Sequence, residues 1–145
     1  FKLQGVLKLR QFKEHKAKIE LGRINQEIEK IKHLISKNQQ DIDQMYLSQQ
    51  EILTRDTPAK MLQFYPYYHQ GKMKHNAVLQ QRLSELEADY AAQLQEVVRL
   101  KGEAEVMENL REKKHKLFVR KEQKREEEVR EEMARISTWH KEHRS

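Results

Sequence analysis

His140 and His143, three residues apart near the C-terminus, are the nearest this sequence comes to a metal-ligand pattern. A structural zinc site needs a closed set of His or Cys ligands at helical or loop spacing. Cysteine is absent, and His15, His33, His69 and His75 have no histidine partner at i+4. No metal is expected. The chain carries 23 Asp and Glu against 29 Lys and Arg, interleaved along open faces where carboxylates ionise ordinarily. No glycine-rich phosphate loop, nucleophile elbow or thiol is found, so neither catalysis nor a cofactor is expected. The basic pI, about 9.4, raises nucleic acid as a partner. Yet the run Arg120–Glu132 alternates cations with carboxylates, and each carboxylate repels a phosphate backbone. Glu126–Arg130 and Glu131–Arg135 read instead as i, i+4 pairs of about 0.3–0.5 kcal/mol each. No nucleic-acid partner is expected.

What remains is chemistry of contact. Phe64-Tyr65-Pro66-Tyr67-Tyr68 places four aromatics in five residues of a chain that is 7% aromatic. They either plug the end of a helical seam or, with Met45 and Tyr46, form a docking tip, since exposed Tyr and Phe anchor interfaces well. Val129, Met133, Ile136 and Trp139 form a second apolar patch near the C-terminus. Part of that patch is expected to cover Leu3, Val6 and Leu7; residues past about 130 are expected to lack a partner within the chain.

Long helices must position these groups. Leu3, Leu7, Ala17, Leu21, Ile24, Ile28, Ile31, Ile35, Ile42, Met45 and Ile52 fall on one 3-4-3-4 ladder, interrupted by Arg10, Glu14, Asn38 and Gln49. A 3.5-residue repeat held this long describes a coiled coil. A break follows at Thr54–Pro58, with Thr57 as N-cap and Pro58 at the first helical position. Pro66 and Gly71 mark a second break. Helix then resumes on Leu79, Leu83, Leu86, Tyr90, Val97, Leu100, Ala104 and Met107, with Leu94 and Leu110 alongside. The pattern predicts a single all-α domain over 1–145. It is a long antiparallel two-helix hairpin, with helices over about 3–53 and 72–140 and a turn segment over about 54–71. Centring the turn between Pro58 and Gly71 sets Leu3 near 125–130, in a rod roughly 80–90 Å long. The second helix then overhangs the first by about ten to fifteen residues. Asn38 keeps a parallel homodimer open as the alternative, because a buried Asn at such a position often fixes parallel register.

Composition agrees. The chain is 37% hydrophobic and 36% charged, with mean hydropathy −1.03, too polar for a compact globule with a large core. Only 4 Gly and 2 Pro occur, which argues against a sheet fold. No run of about 18 apolar residues is present, so no membrane insertion is expected. The net charge of +6 concentrates in residues 1–30 and 111–145, and a hairpin folds those segments into one basic root.

The opening Phe1-Lys2-Leu3-Gln4-Gly5-Val6-Leu7-Lys8-Leu9-Arg10, followed by Glu14, Ala17 and Glu20-Leu21, resembles the N-terminus of the flagellar export protein FliJ family. Leu110-Arg111-Glu112-Lys113-Lys114, running into an Arg/Glu tail, resembles it too, and the related injectisome stalk proteins look similar. The resemblance implies a non-enzymatic, monomeric stalk or chaperone-type component of the flagellar type III export apparatus. Such a stalk links a hexameric export ATPase to the cytoplasmic domain of an export gate membrane protein and handles export chaperones. It implies a cytoplasmic location, peripheral to the inner membrane. The candidate ATPase-facing root is then Arg10, Lys13, Lys16, Arg111, Lys114, Arg120, Lys121, Lys124 and Arg125. The Pro66 aromatic segment departs from the family pattern. A general coiled-coil adaptor remains the alternative.

Overall fold

The computed structural model describes residues 2–53 and 59–144. Two helices account for nearly all of them, α1 (Gln4–Leu53) and α2 (Ala59–Glu142), with no strand among the described residues. The fold is an all-α helical hairpin. It divides into two units, His15–Arg99 and Phe1–Glu14 with Leu100–Ser145.

In the His15–Arg99 unit, α1 buries Ala17, Ile24, Ile28, Asn38, Ile42 and Met45, and α2 buries Tyr65, Leu79, Leu86 and Val97. Ile24, Ile28 and Leu86 form the packed centre, flanked by Ile31, Leu83 and Tyr90. Gln93 donates to the Ala17 carbonyl at 3.1 Å, and Lys72 reaches Asp41 at 2.8 Å. Partner numbers fall on α2 as they rise on α1, so the helices run antiparallel. Each fully buried Leu, Ile or Met contributes about 1.5–3 kcal/mol, but only one stripe per helix is available. The polar outer faces follow from that geometry.

In the other unit, Leu7 is fully buried, and Leu100, Ala104 and Met107 are buried on α2. Arg10 Nη1 donates to the Glu103 carbonyl at 3.1 Å, and Gln11 Nε2 to Glu108 Oε1 at 2.9 Å. From Arg111 onward every described residue of α2 except the half-buried Glu122 is exposed.

Two expectations are corrected. The second helix begins at Ala59 rather than near 72, so the aromatic segment is helix and not turn. Residues 54–58, with the expected Thr57 cap and Pro58, lie outside the described residues. Pro66 lies inside α2 although its ring removes an i→i−4 hydrogen bond, at a cost of about 3 kcal/mol. Pro66 is exposed, while Tyr65 beside it is buried. An earlier turn moves every cross-helix partner by twice its displacement. Arg10 and Gln11 therefore meet Glu103 and Glu108, whereas a Leu3 partner near 125–130 would set them against residues around 117–123. About thirty residues of α2 extend past that contact, roughly 45 Å of helix, more than the expected overhang.

Candidate docking surfaces

Three surfaces and one buried layer carry the unusual side chains. The layer belongs to the His15–Arg99 unit. Asn38, 6% exposed, donates from Nδ2 to Asn76 Oδ1 at 2.8 Å, and the same nitrogen lies 2.9 Å from His75 Nδ1. Lys72 Nζ donates to Asn38 Oδ1 at 3.3 Å and to Asp41 Oδ2 at 2.8 Å. An ammonium has no acceptor, so it fixes which end of the Asn38 amide is oxygen, and His75 Nδ1 must then accept. The hydrogen bond to Asp41 holds the Lys72 ammonium above its usual range, against the opposing effect of partial burial. Lys72 also lies over the Tyr68 ring, 5.5 Å from its centroid.

The sequence pattern hid this layer. Leu62, Tyr65, His69, Lys72 and Asn76 continue the 3-4 ladder back from Leu79, but polar residues at three of those positions masked it. Gln93 similarly holds the seam position beside Leu94, which is exposed.

At the tip the aromatic cluster splits by helical phase. Tyr65 is buried and closes the seam beside the buried Met45, whereas Phe64 is 58% and Tyr67 78% exposed. Phe64 packs on Tyr68 with ring centroids 5.6 Å apart and edge-on to Tyr65 at 5.8 Å. Tyr46 is half-exposed against His69, rings 5.8 Å apart. A cleft lies among Asp41, Gln44, Met45, Ser48, Phe64, Tyr65 and Tyr68. One aromatic is thus a plug, and others remain for contact.

The basic candidates fare unequally. Arg10 is half-buried and spends its guanidinium on the Glu103 carbonyl. Lys13 is exposed, and so is Lys16, which falls in the His15–Arg99 unit. Arg111 and Lys114 line a shallow groove with Glu108, Glu112, His115 and Phe118. Arg120, Lys121, Lys124 and Arg125 are exposed on α2, and none of the ion pairs among the described residues includes them.

Val129, Met133, Ile136 and Trp139 are all exposed, so the expectation that part of this patch covers Leu7 is corrected. The cause is the longer overhang. His143 stacks on Trp139 at 4.4 Å and donates from Nδ1 to the Trp139 carbonyl at 2.9 Å; His140 meets the same indole edge-on. Of the two expected i, i+4 pairs, Glu126–Arg130 closes at 4.0 Å; Glu131–Arg135 does not form among the described residues.

A two-helix hairpin with polar faces, a polar seam layer and exposed apolar and basic patches defines a coiled-coil protein. The family model described as the flagellar FliJ protein matches residues 1–143, and the chain belongs to that family. Membership makes it a component of flagellar export. Neither the curated proteins nor the solved structures yield a match. No described helix is long and apolar enough to cross a membrane.

Proposed function

We propose that this hairpin is a stalk that couples the hexameric flagellar export ATPase to the cytoplasmic domain of the export gate membrane protein. The observation that carries the reading is the length of α2 past Arg111, which extends beyond the α1 contact and presents Arg120, Lys121, Lys124 and Arg125 to solvent. A single helix about 10 Å across enters a ring pore that a globule could not. A ring and a hairpin differ in symmetry, so polar, adaptable contacts suit their meeting better than close apolar packing. Lys13, Lys16, Arg111 and Lys114 supply further positive charge. Arg10, engaged with Glu103, acts in the seam instead. The tip residues Phe64, Tyr67, Tyr68 and Tyr46 are the candidate gate contact, and export chaperones are further candidate partners. The working unit is one chain, cytoplasmic and peripheral to the inner membrane.

Charge reversal of Arg120, Lys121, Lys124 and Arg125 to Glu tests this. Association with the ATPase and stimulation of its turnover should fall, most visibly at low salt, where exposed charges are least screened. Unchanged stimulation by a folded variant removes the basis for the assignment.

A further inference from the structure

The seam of α2 does not stop where α1 stops; only its chemistry changes. Leu100, Ala104 and Met107 are buried in the unit that also holds the buried Leu7, and they stand on a 3-4 ladder. The ladder runs on without a missed step through Arg111, Lys114, Phe118, Lys121 and Arg125. At 3.6 residues per turn these side chains fall within an arc of about 80°. All of them are exposed, Phe118 by 60%. Arg111, Lys114 and Phe118 line one shallow groove, just past the Glu103 and Glu108 that α1 reaches. The basic run then ends, since the next ladder positions are Glu128 and Glu132.

A face that keeps the phase of a helix-binding seam suits another helix, whose side chains return to it every 3.5 residues. Its composition says which kind. Cations on both sides of one aromatic ring favour carboxylates at the facing positions, with an apolar side chain opposite Phe118. Phosphates offer negative charge but have no use for Phe118, and Glu108 and Glu112 in the same groove repel them. The far side of α2 provides a contrast. Lys113, Lys116, Arg120 and Lys124 are equally exposed, yet they lie about 140° round the helix from the ladder and continue no packed seam.

We infer that Arg111, Lys114, Phe118, Lys121 and Arg125 form a docking strip for an acidic helix of a partner protein, laid on α2 as a continuation of the α1 seam. Continuity with the α1 interface fixes the face, and the cations on that same face fix the sign of the partner. A helix held there has the mode of an amphipathic helix laid on a groove, with polar anchors in place of most apolar ones. The strip divides the basic residues of the overhang into those that touch the partner and those that do not. It does not depend on the export ATPase being the source of the helix.

The test uses the full-length chain and a synthetic helical peptide, with Glu at the positions facing Arg111, Lys114, Lys121 and Arg125 and Leu facing Phe118. Binding is read by fluorescence anisotropy at physiological salt. The Debye length there is about 8 Å, less than a helix width of about 10–12 Å, so charges on the far side are screened. A ladder variant (Arg111→Glu, Lys114→Glu, Lys121→Glu, Arg125→Glu) should bind about tenfold more weakly or worse, since it loses several exposed ion pairs together. A far-side variant (Lys113→Glu, Lys116→Glu, Arg120→Glu, Lys124→Glu) changes the net charge equally and should stay within about threefold of wild type. Phe118→Ala should weaken binding about fivefold, as for a contact at the middle of an interface, with helicity unchanged by circular dichroism in every variant. Equal losses from the two faces overturn the inference, and so does a wild type that fails to bind the peptide in the hundreds of micromolar. RNA or anionic vesicles that bind through the ladder residues while the peptide does not would overturn it as well.

Discussion

Asn38 and Asn76 meet across the seam of the His15–Arg99 unit, Nδ2 to Oδ1 at 2.8 Å, at a position where either helix could have placed an aliphatic side chain. A slip of one heptad toward the C-terminus of α2 would set Asn38 against Leu79 and Leu83 without that partner, which costs about 1–3 kcal/mol. The pair therefore specifies alignment more than it adds strength. Replacing Asn38 by Leu should raise Tm by a few degrees, because an apolar side chain suits a buried ladder position better. It should also loosen register, visible as extra oligomers in light scattering. A marked fall in Tm would show that the layer contributes net stability.

Lys72 gives that layer a pH dependence. Its pKa is raised, chiefly by the hydrogen bond to Asp41. A raised pKa contributes stability that is whole below the ordinary lysine range and is lost as pH climbs through the folded value. Wild type should therefore lose stability relative to Lys72→Met on going from neutral pH to above the lysine range. With both side chains a quarter to a third exposed, the difference should stay below about 1 kcal/mol. Parallel melting curves that keep a constant separation up to strongly alkaline pH would refute the assignment.

The tip aromatics have separable roles. Tyr65→Ser should lower Tm appreciably, since it empties a buried seam position at a cost of about 3–5 kcal/mol, as for a large buried aromatic. Tyr67→Ser should leave Tm within about half a kcal/mol of wild type and instead weaken capture of the export gate domain. If Tyr67→Ser melts early and still binds, the exposed ring is structural.

Leu7 and Leu9 are two residues apart and differ completely in exposure, 0% against 52%. Leu7→Ala should cost about 2–5 kcal/mol, and Leu9→Ala under about half a kcal/mol. Hydrogen exchange in the Leu100–Met107 stretch should accelerate for the first variant alone. Equal effects would mean that the N-terminal stretch does not follow the seam.

The α1 seam was legible because its Ile and Leu residues keep a strict 3-4 alternation, and even Arg10, Glu14, Asn38 and Gln49 hold its phase. The start of α2 was not. Pro66 is a strong local helix breaker, and its signal outweighed the weaker spacing of Leu62, Tyr65, His69, Lys72 and Asn76, most of them polar or aromatic. Packing of Tyr65 in the seam overrides the local preference. The misplaced turn then doubled into the register and concealed the length of the overhang. Among the candidate contacts, composition alone marked the aromatics and the basic residues. Helical phase separates Tyr65 from Tyr67, and the overhang of α2 separates the engaged Arg10 from the exposed Arg120.

Everything proposed for tip, layer and overhang depends on one chain folding back upon itself. Spin labels at Asn25 and Glu87, exposed positions beside Ile24 and Leu86, measure this directly, and the absence of cysteine makes the labelling specific. Diluted with unlabelled chain, the pair should report an intramolecular separation of about 15–25 Å, set by helix axes 8–10 Å apart plus the label arms. A short distance that vanishes on dilution, or one several times longer, would contradict the hairpin and the functions built on it.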